Sequence, residues 1–269
     1  MVGAPIFRLD GKVALVTGCG SAGDGWGNGK AVATLLARQG AHIHGLDRSF
    51  AAAESTRAVI RSEGHSCDVE TCDVTRPGEV KAAVAGCLER HGRIDILVNN
   101  VGQSEPGGPE ELDDEAWQGQ IDLNLNSAAR LCRQVLPSMA RQGGGSIVNI
   151  ASVAGLRYIG KPQVAYSVAK AALMQLSRSL AVLYADRGIR VNSVVPGLID
   201  TPLVARLSEK YAGGDEAGFR ATRAQQVPMG RMGNAWDVAH AALFFASEES
   251  AYVTAADIVV DGGLIAATR

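Results

Sequence analysis

The chain's 269 residues predict one α/β domain, a doubly wound parallel sheet with helices on both faces. Three observations carry this. Short apolar runs of strand length alternate with longer stretches of helical spacing almost from end to end. A dense glycine turn joins the first run to the first helical stretch. No repeat, low-complexity tract or flexible linker divides the chain, so residues 1–269 read as a single domain.

In order, residues 13–17, 42–47, 66–72, 94–99, 146–151, 190–195 and 257–260 are the strand candidates, each a short run rich in apolar or β-branched residues. Residues 29–39, 51–62, 79–91, 115–142, 164–185 and 236–246 repeat apolar positions at three- and four-residue intervals and predict helices. Pro137 falls inside the fourth of these and is expected to kink or divide it. Strands that alternate strictly with helices imply right-handed crossovers and therefore a parallel sheet. Residues 198–226 are the least patterned stretch, and a loop of that length is expected to act as a substrate lid.

Hydrophobic residues make up 46% of the chain and charged residues 20%, which suits a soluble protein with a sizeable core. A net charge of −2 offers no electrostatic footprint for nucleic acid. No apolar stretch approaches bilayer-spanning length, and residues 1–10 lack the apolar run of a signal peptide. Cys19, Cys67, Cys72, Cys87 and Cys132 are an odd, scattered set with neither a disulfide framework nor metal-ligand pairs. The expectation is a cytoplasmic protein with reduced thiols and no bound metal.

Between the first strand and the first helix lie Gly18, Gly20, Gly23, Gly25, Gly27 and Gly29. Such a turn lets backbone approach a pyrophosphate at a helix N-terminus. With Asp47 closing the second strand, the pattern predicts a Rossmann-type dinucleotide fold. The Asp47 carboxylate suits ribose hydroxyls and repels a 2′-phosphate, which favours NAD, although Arg48 beside it can receive a phosphate. Further along, Tyr166 and Lys170 stand four residues apart in a helical stretch, so both project into one pocket, and Ser152 follows the fifth strand. A cation about 4 Å from a phenol contributes roughly 4 kcal/mol at an effective dielectric of about 20. Lys170 is therefore expected to lower the Tyr166 pKa and ready it for general acid/base work.

These residues, taken together, resemble the short-chain dehydrogenase/reductase family in its compact single-domain branch. The resemblance covers nearly the whole chain. It rests on Thr17-Gly18 with Gly27-Asn28-Gly29, Asp73-Val74, Asn99-Asn100-Val101-Gly102, Asn124, Ser152, Tyr166, Lys170, Asn192, Pro196-Gly197 with Thr201, and Asp261-Gly262-Gly263. It implies Tyr166 as proton donor and acceptor, Ser152 holding the substrate oxygen, and Lys170 holding the nicotinamide ribose. Asn124 would position a relay water through its backbone carbonyl. Asp73 and Val74 would hold adenine; Asn100, Val101, Gly102, Pro196, Gly197, Ile199 and Thr201 would line the rest of the cofactor. Gln103, Val153, Arg157 and Tyr158 would meet the substrate, and the resemblance also implies a homotetramer.

Three departures stand out. Gly18 and Gly27 are separated by eight residues where the family has three, which leaves Asp24 and Trp26 as either a solvent-side bulge or a flap over the cofactor. Val101 replaces the family's alanine. The interval from Ser152 to Tyr166 is one residue longer than usual, which singles out Arg157, Tyr158 and Lys161 for substrate recognition. The expected activity is NAD(H)-dependent interconversion of a secondary alcohol and a ketone. An NADP(H)-dependent carbonyl reductase shares every catalytic residue. An enoyl reductase or an epimerase would use related folds, but the three-residue spacing between Tyr166 and Lys170 disfavours the enoyl branch. A non-catalytic nucleotide sensor or scaffold is opposed by the intact serine, tyrosine and lysine.

Overall fold

Seven parallel strands form the central sheet of the computed structural model, which describes residues 6–268. Residues 1–5, where part of the leader expectation falls, lie outside the described residues. The strands are β1 (Val13–Thr17), β2 (His42–Asp47), β3 (Cys67–Thr71), β4 (Ile96–Asn99), β5 (Gly145–Ile150), β6 (Ile189–Pro196) and, last in the chain, β9 (Asp257–Val260). Their order is β3-β2-β1-β4-β5-β6-β9. All five β1 residues and all four of β4 are buried, as expected for strands covered on both faces. The order reverses between β1 and β4, and the resulting crevice is where such sheets take ligands.

On one face pack α1 (Asn28–Arg38), α2 (Phe50–Ser62) and α9 (Ala235–Ala246), burying Val32, Leu36, Ile60, Val238 and Phe245 against Ala14, Val16 and Ile43. On the other lie α3 (Pro77–His91), α5 (Ser127–Arg141) and α6 (Val164–Leu183), which close over Leu15, Leu46, Leu97 and Ile147. The sheet is thus apolar on both sides, which explains runs without polar alternation.

Two expectations about the helices are corrected. The single helix over 115–142 is α4 (Asp114–Ile121), a π-helical turn Asp122–Asn126, and α5. Pro137 sits inside α5 without dividing it. The irregularity falls at Asn124 because its side-chain Nδ2 donates to the Gln120 carbonyl, the acceptor a regular turn would assign to its backbone N–H. The stretch 198–226 is also no loop. After β7 (Ile199–Asp200) it forms α7 (Leu203–Ala212) and α8 (Glu216–Gln226), the latter capped by the Asp215 carboxylate accepting from Gly218 N at 2.9 Å. A two-residue strand β8 (Gly233–Asn234) pairs with β7 at the base of this helical arm.

Candidate active site

The C-terminal ends of β4, β5 and β6 open into a cleft walled on its outer side by α7 and α8. Ser152 follows β5 and caps a short 3₁₀ turn, its Oγ accepting from Ala154 N at 3.2 Å. Tyr166 and Lys170 reach the same space from successive turns of α6. The Ser152 hydroxyl lowers the pKa of the Tyr166 phenol, yet burial outweighs that influence and leaves the phenol above its ordinary value.

Lys170 is 2% exposed and its Nζ donates to the Ile150 carbonyl at 2.9 Å. Burial lowers its pKa to about 8. The ammonium lies 5.7 Å from the centroid of the Tyr166 ring. The expected lowering of the tyrosine by the lysine is not found: the groups that move Tyr166 are burial, Ser152 and Tyr211. The reason is geometric, since Lys170 turns its charge toward Ile150 rather than toward the phenol oxygen.

Behind the lysine, Asn124 is buried and holds the chain after β4. Its Oδ1 accepts from Gln103 N, and its Nδ2 donates to Gln103 O, both at 3.0 Å. Gly102 fits between these groups only without a side chain, because a Cβ there would lie 2.8 Å from Lys170 Nζ and 2.9 Å from Asn124 Oδ1. Asn100, Asn28, Gln103, Pro196, Gly197, Ile199 and Thr201 also line the cleft.

Toward β1 the glycine turn is close-packed. Gly29 abuts the Gly18 carbonyl and Asn100, and no Cβ would fit. Asn100 Nδ2 donates to the Thr17 and Gly18 carbonyls at 3.2 and 3.0 Å. The α1 N-cap is Gly27, with no side-chain cap and no acidic residue in the first turn. Its leading N–H groups are therefore open to an anion. Asn28 Oδ1 and Ser21 Oγ are buried without a hydrogen-bond partner among the described residues. Asp47 Oδ2 accepts from Gly20 N at 3.0 Å and Oδ1 from Ser49 N at 2.9 Å, which fixes the carboxylate against the turn. Arg48 is exposed beside it. Asp73 Oδ1 accepts from the Thr75 hydroxyl and N–H, which hold its carboxyl below the usual range. Val74 is buried in the core, and Val101 packs against the same cluster.

The inserted loop is neither a free bulge nor a simple flap. Trp26 packs on Trp236 of α9 with ring centroids 4.7 Å apart, and Lys30 lies over the Trp26 ring. Gly23 and Gly25 face Pro202, ahead of α7. The loop therefore runs from α9 to the base of the helical arm, with Asp24 exposed.

Three expected substrate residues are not brought to the cleft. Val153 is buried against Ala151, Met174 and Val195. Arg157 turns outward, its Nη1 donating to the Ile265 and Ala267 carbonyls, both at 2.9 Å. Tyr158 is 71% exposed. From the same loop Lys161 lines the cleft instead. Opposite Lys161 stands Arg223 of α8, which sequence reading missed; the available signal was Phe219 and Arg223 four residues apart.

Far from the cleft, His42 and His44 on β2 meet Asp68 and Glu70 on β3, with Cys87 and His91 on α3. A search by cysteine spacing overlooks this group. His42 pairs with Asp68 and His44 with Glu70, each at 3.0 Å.

A family model described as enoyl-(acyl carrier protein) reductase matches residues 22–265. A short-chain dehydrogenase/reductase structure from Burkholderia xenovorans superposes with a TM-score of 0.91 at 48% identity, covering 97% of this chain and 99% of that one. The chain belongs to the short-chain dehydrogenase/reductase family. A cis-4-hydroxycyclohexanecarboxylate dehydrogenase from Sinomonas cyclohexanicum is 40% identical, covering 95% of this chain and 97% of its own length. A 3-oxoacyl-[acyl-carrier-protein] reductase, FabG, from Thermotoga maritima is 36% identical, covering 96% and 100%. The protein is thus an oxidoreductase of alcohols and ketones that uses a nicotinamide cofactor. Among the described residues, no helix is long and apolar enough to cross a membrane.

Proposed function

We propose that this short-chain dehydrogenase/reductase interconverts a secondary alcohol and a ketone with NAD(H), using Tyr166 as general acid and base. The observation that carries the reading is that Ser152, Tyr166 and, one helical turn beyond the tyrosine, a buried Lys170 line one cleft. The fit of the cofactor rests on the bare α1 N-terminus and on Asn28 Oδ1 and Ser21 Oγ, buried polar atoms without partners. Gly27, Asn28 and Gly29 would hold the pyrophosphate, Asp47 the adenosine ribose, and Lys170 the nicotinamide ribose. Asn100, Val101, Gly102 and Thr201 would complete the nicotinamide side. When bound, the cofactor supplies or accepts the hydride at the carbinol carbon.

The chain's own residues handle orientation and the proton. Ser152 Oγ holds the substrate oxygen. Tyr166, a phenol protonated at neutral pH and held more firmly so by burial, gives its proton to a ketone oxygen; in the reverse direction it must first lose it. Asn124 and Gly102 fix the approach to Lys170. Asp47 favours NAD because its carboxylate stands at the end of β2, while the exposed Arg48 supports an NADP(H) reductase as the second reading. Val182 (76% exposed) and Leu183 (63%) on α6 support a homotetramer built on that helix. The five free, buried cysteines suit a cytoplasmic setting.

Alcohols and ketones followed by NADH absorbance test the reading. Tyr166→Phe should lower turnover by roughly 10²–10⁴-fold; a variant that keeps more than about a tenth of the rate would place the chemistry elsewhere. Titration should show NADH binding more tightly than NADPH by about tenfold or more, and Asp47→Ala should narrow the gap.

A further inference from the structure

The substrate end of the cleft holds two cations with no counter-charge. Arg223 is 6% exposed, lines the cleft, donates from Nε to the Met232 sulfur at 3.4 Å and lies over the Phe219 ring at 5.1 Å from its centroid. Lys161 lines the same space, its Nζ 4.7 Å from the Tyr211 ring centroid and 4.6 Å from that of Phe219. Neither forms an ion pair among the described residues. The nearby acids are occupied: Asp200 and Glu216 hold Arg220, and Glu105 holds Lys210. Burial pulls Lys161 down to about 8 and Arg223 to about 10, and Arg223 further disfavours charge on Lys161.

Two adjacent desolvated cations without a carboxylate are costly, and a helical arm that keeps both facing a cleft has a use for them. An aromatic face offsets only part of that cost. Ile159, Leu203 and Leu207 give the same cleft an apolar stretch of wall. We propose that Lys161 and Arg223 form a carboxylate subsite, so that the substrate is a hydroxy or oxo acid with an apolar ring or chain between its carboxylate and the reacting carbon. The planar guanidinium matches a carboxylate in two-point geometry, and the ammonium adds a second donor. This rests on the oxidoreductase reading for the reacting end and on the two cations for the other.

The test uses the full chain and matched ligands. Cyclohexanecarboxylate carries the anion and spacer but no hydroxyl; it should bind saturably and raise the melting temperature, whereas its methyl ester should not. Arg223→Gln and Lys161→Met should each lose that shift. In turnover, 3-hydroxybutyrate and 4-hydroxycyclohexanecarboxylate should exceed their methyl esters in kcat/KM by about tenfold or more, and both substitutions should collapse the acid-to-ester ratio toward one. Lys161→Met, at a half-buried position, keeps the test open should Arg223→Gln fold poorly. Binding of cyclohexanecarboxylate without turnover of any alcohol would leave the subsite standing and reject the oxidoreductase reading. Equal use of acids and esters with no shift from cyclohexanecarboxylate, or a shift that survives both substitutions, overturns the subsite alone.

Discussion

Replacing Lys170 with methionine should separate stability from activity. The lysine is 2% exposed, and burial brings its pKa from 10.5 to about 8. Unfolded, a lysine keeps its proton to about pH 10.4. Between those values the unfolded chain binds more protons than the folded one, so the lysine's contribution to stability improves as pH rises. The whole shift corresponds to about 3 kcal/mol, of which about 2 kcal/mol is recovered between pH 7 and pH 9.5. Methionine keeps most of the volume and cannot titrate. Urea unfolding of both proteins at pH 7, 8, 9 and 9.5, at one protein concentration, measures the difference. Wild type should gain on Lys170→Met by about 2 kcal/mol across that range. The lost hydrogen bond to the Ile150 carbonyl adds a constant offset without changing the slope. Turnover by the variant should be lost at every pH. A difference flat with pH, or one that shrinks as pH rises, would refute the argument.

Gly102→Ala should drive the Lys170 ammonium away from the Cβ it would meet at 2.8 Å, and a displacement of about 1 Å should cost roughly 10²-fold in kcat. Steady-state rates within about twofold of wild type would show that the lysine tolerates the shift. Because Tyr166 is raised by burial, alcohol oxidation should climb into the alkaline range while ketone reduction holds through neutral pH; paired pH–rate profiles check this, and an acidic optimum for oxidation contradicts it. Arg157→Ala should change kcat/KM by less than about threefold, since the side chain binds the Ile265 and Ala267 carbonyls; a larger loss would return it to the substrate site.

The central strands β1 and β4 were legible because they are covered on both faces and read as continuous apolar runs. Ser152, Tyr166 and Lys170 were legible because their spacing survives folding as one helix face and one strand end. The pairing that follows from them was not. Whether Lys170 addresses the phenol or the Ile150 carbonyl depends on rotamers that no spacing encodes. Asn124 was found by its resemblance, but the π-helical turn depends on its amide reaching Gln120, which a single residue letter does not announce. Helices α7 and α8 were missed for a different reason: they bury little apolar surface, only Val204 and Ser208 on one and Phe219 and Arg223 on the other. A helix whose buried face includes a cation has no hydrophobic stripe to read.

The Trp26–Trp236 contact also gives the protein an optical handle. Of the three tryptophans, only Trp117 lies elsewhere, on α4. Indole emission depends on the neighbours of the ring, and here the neighbours are another indole, the Lys30 ammonium and the Arg38 guanidinium. Any rearrangement that pulls the glycine loop off α9 must part the two rings and expose them to water. Emission excited in the indole band therefore follows the loop in real time, and Trp117→Phe would leave the signal to that one joint.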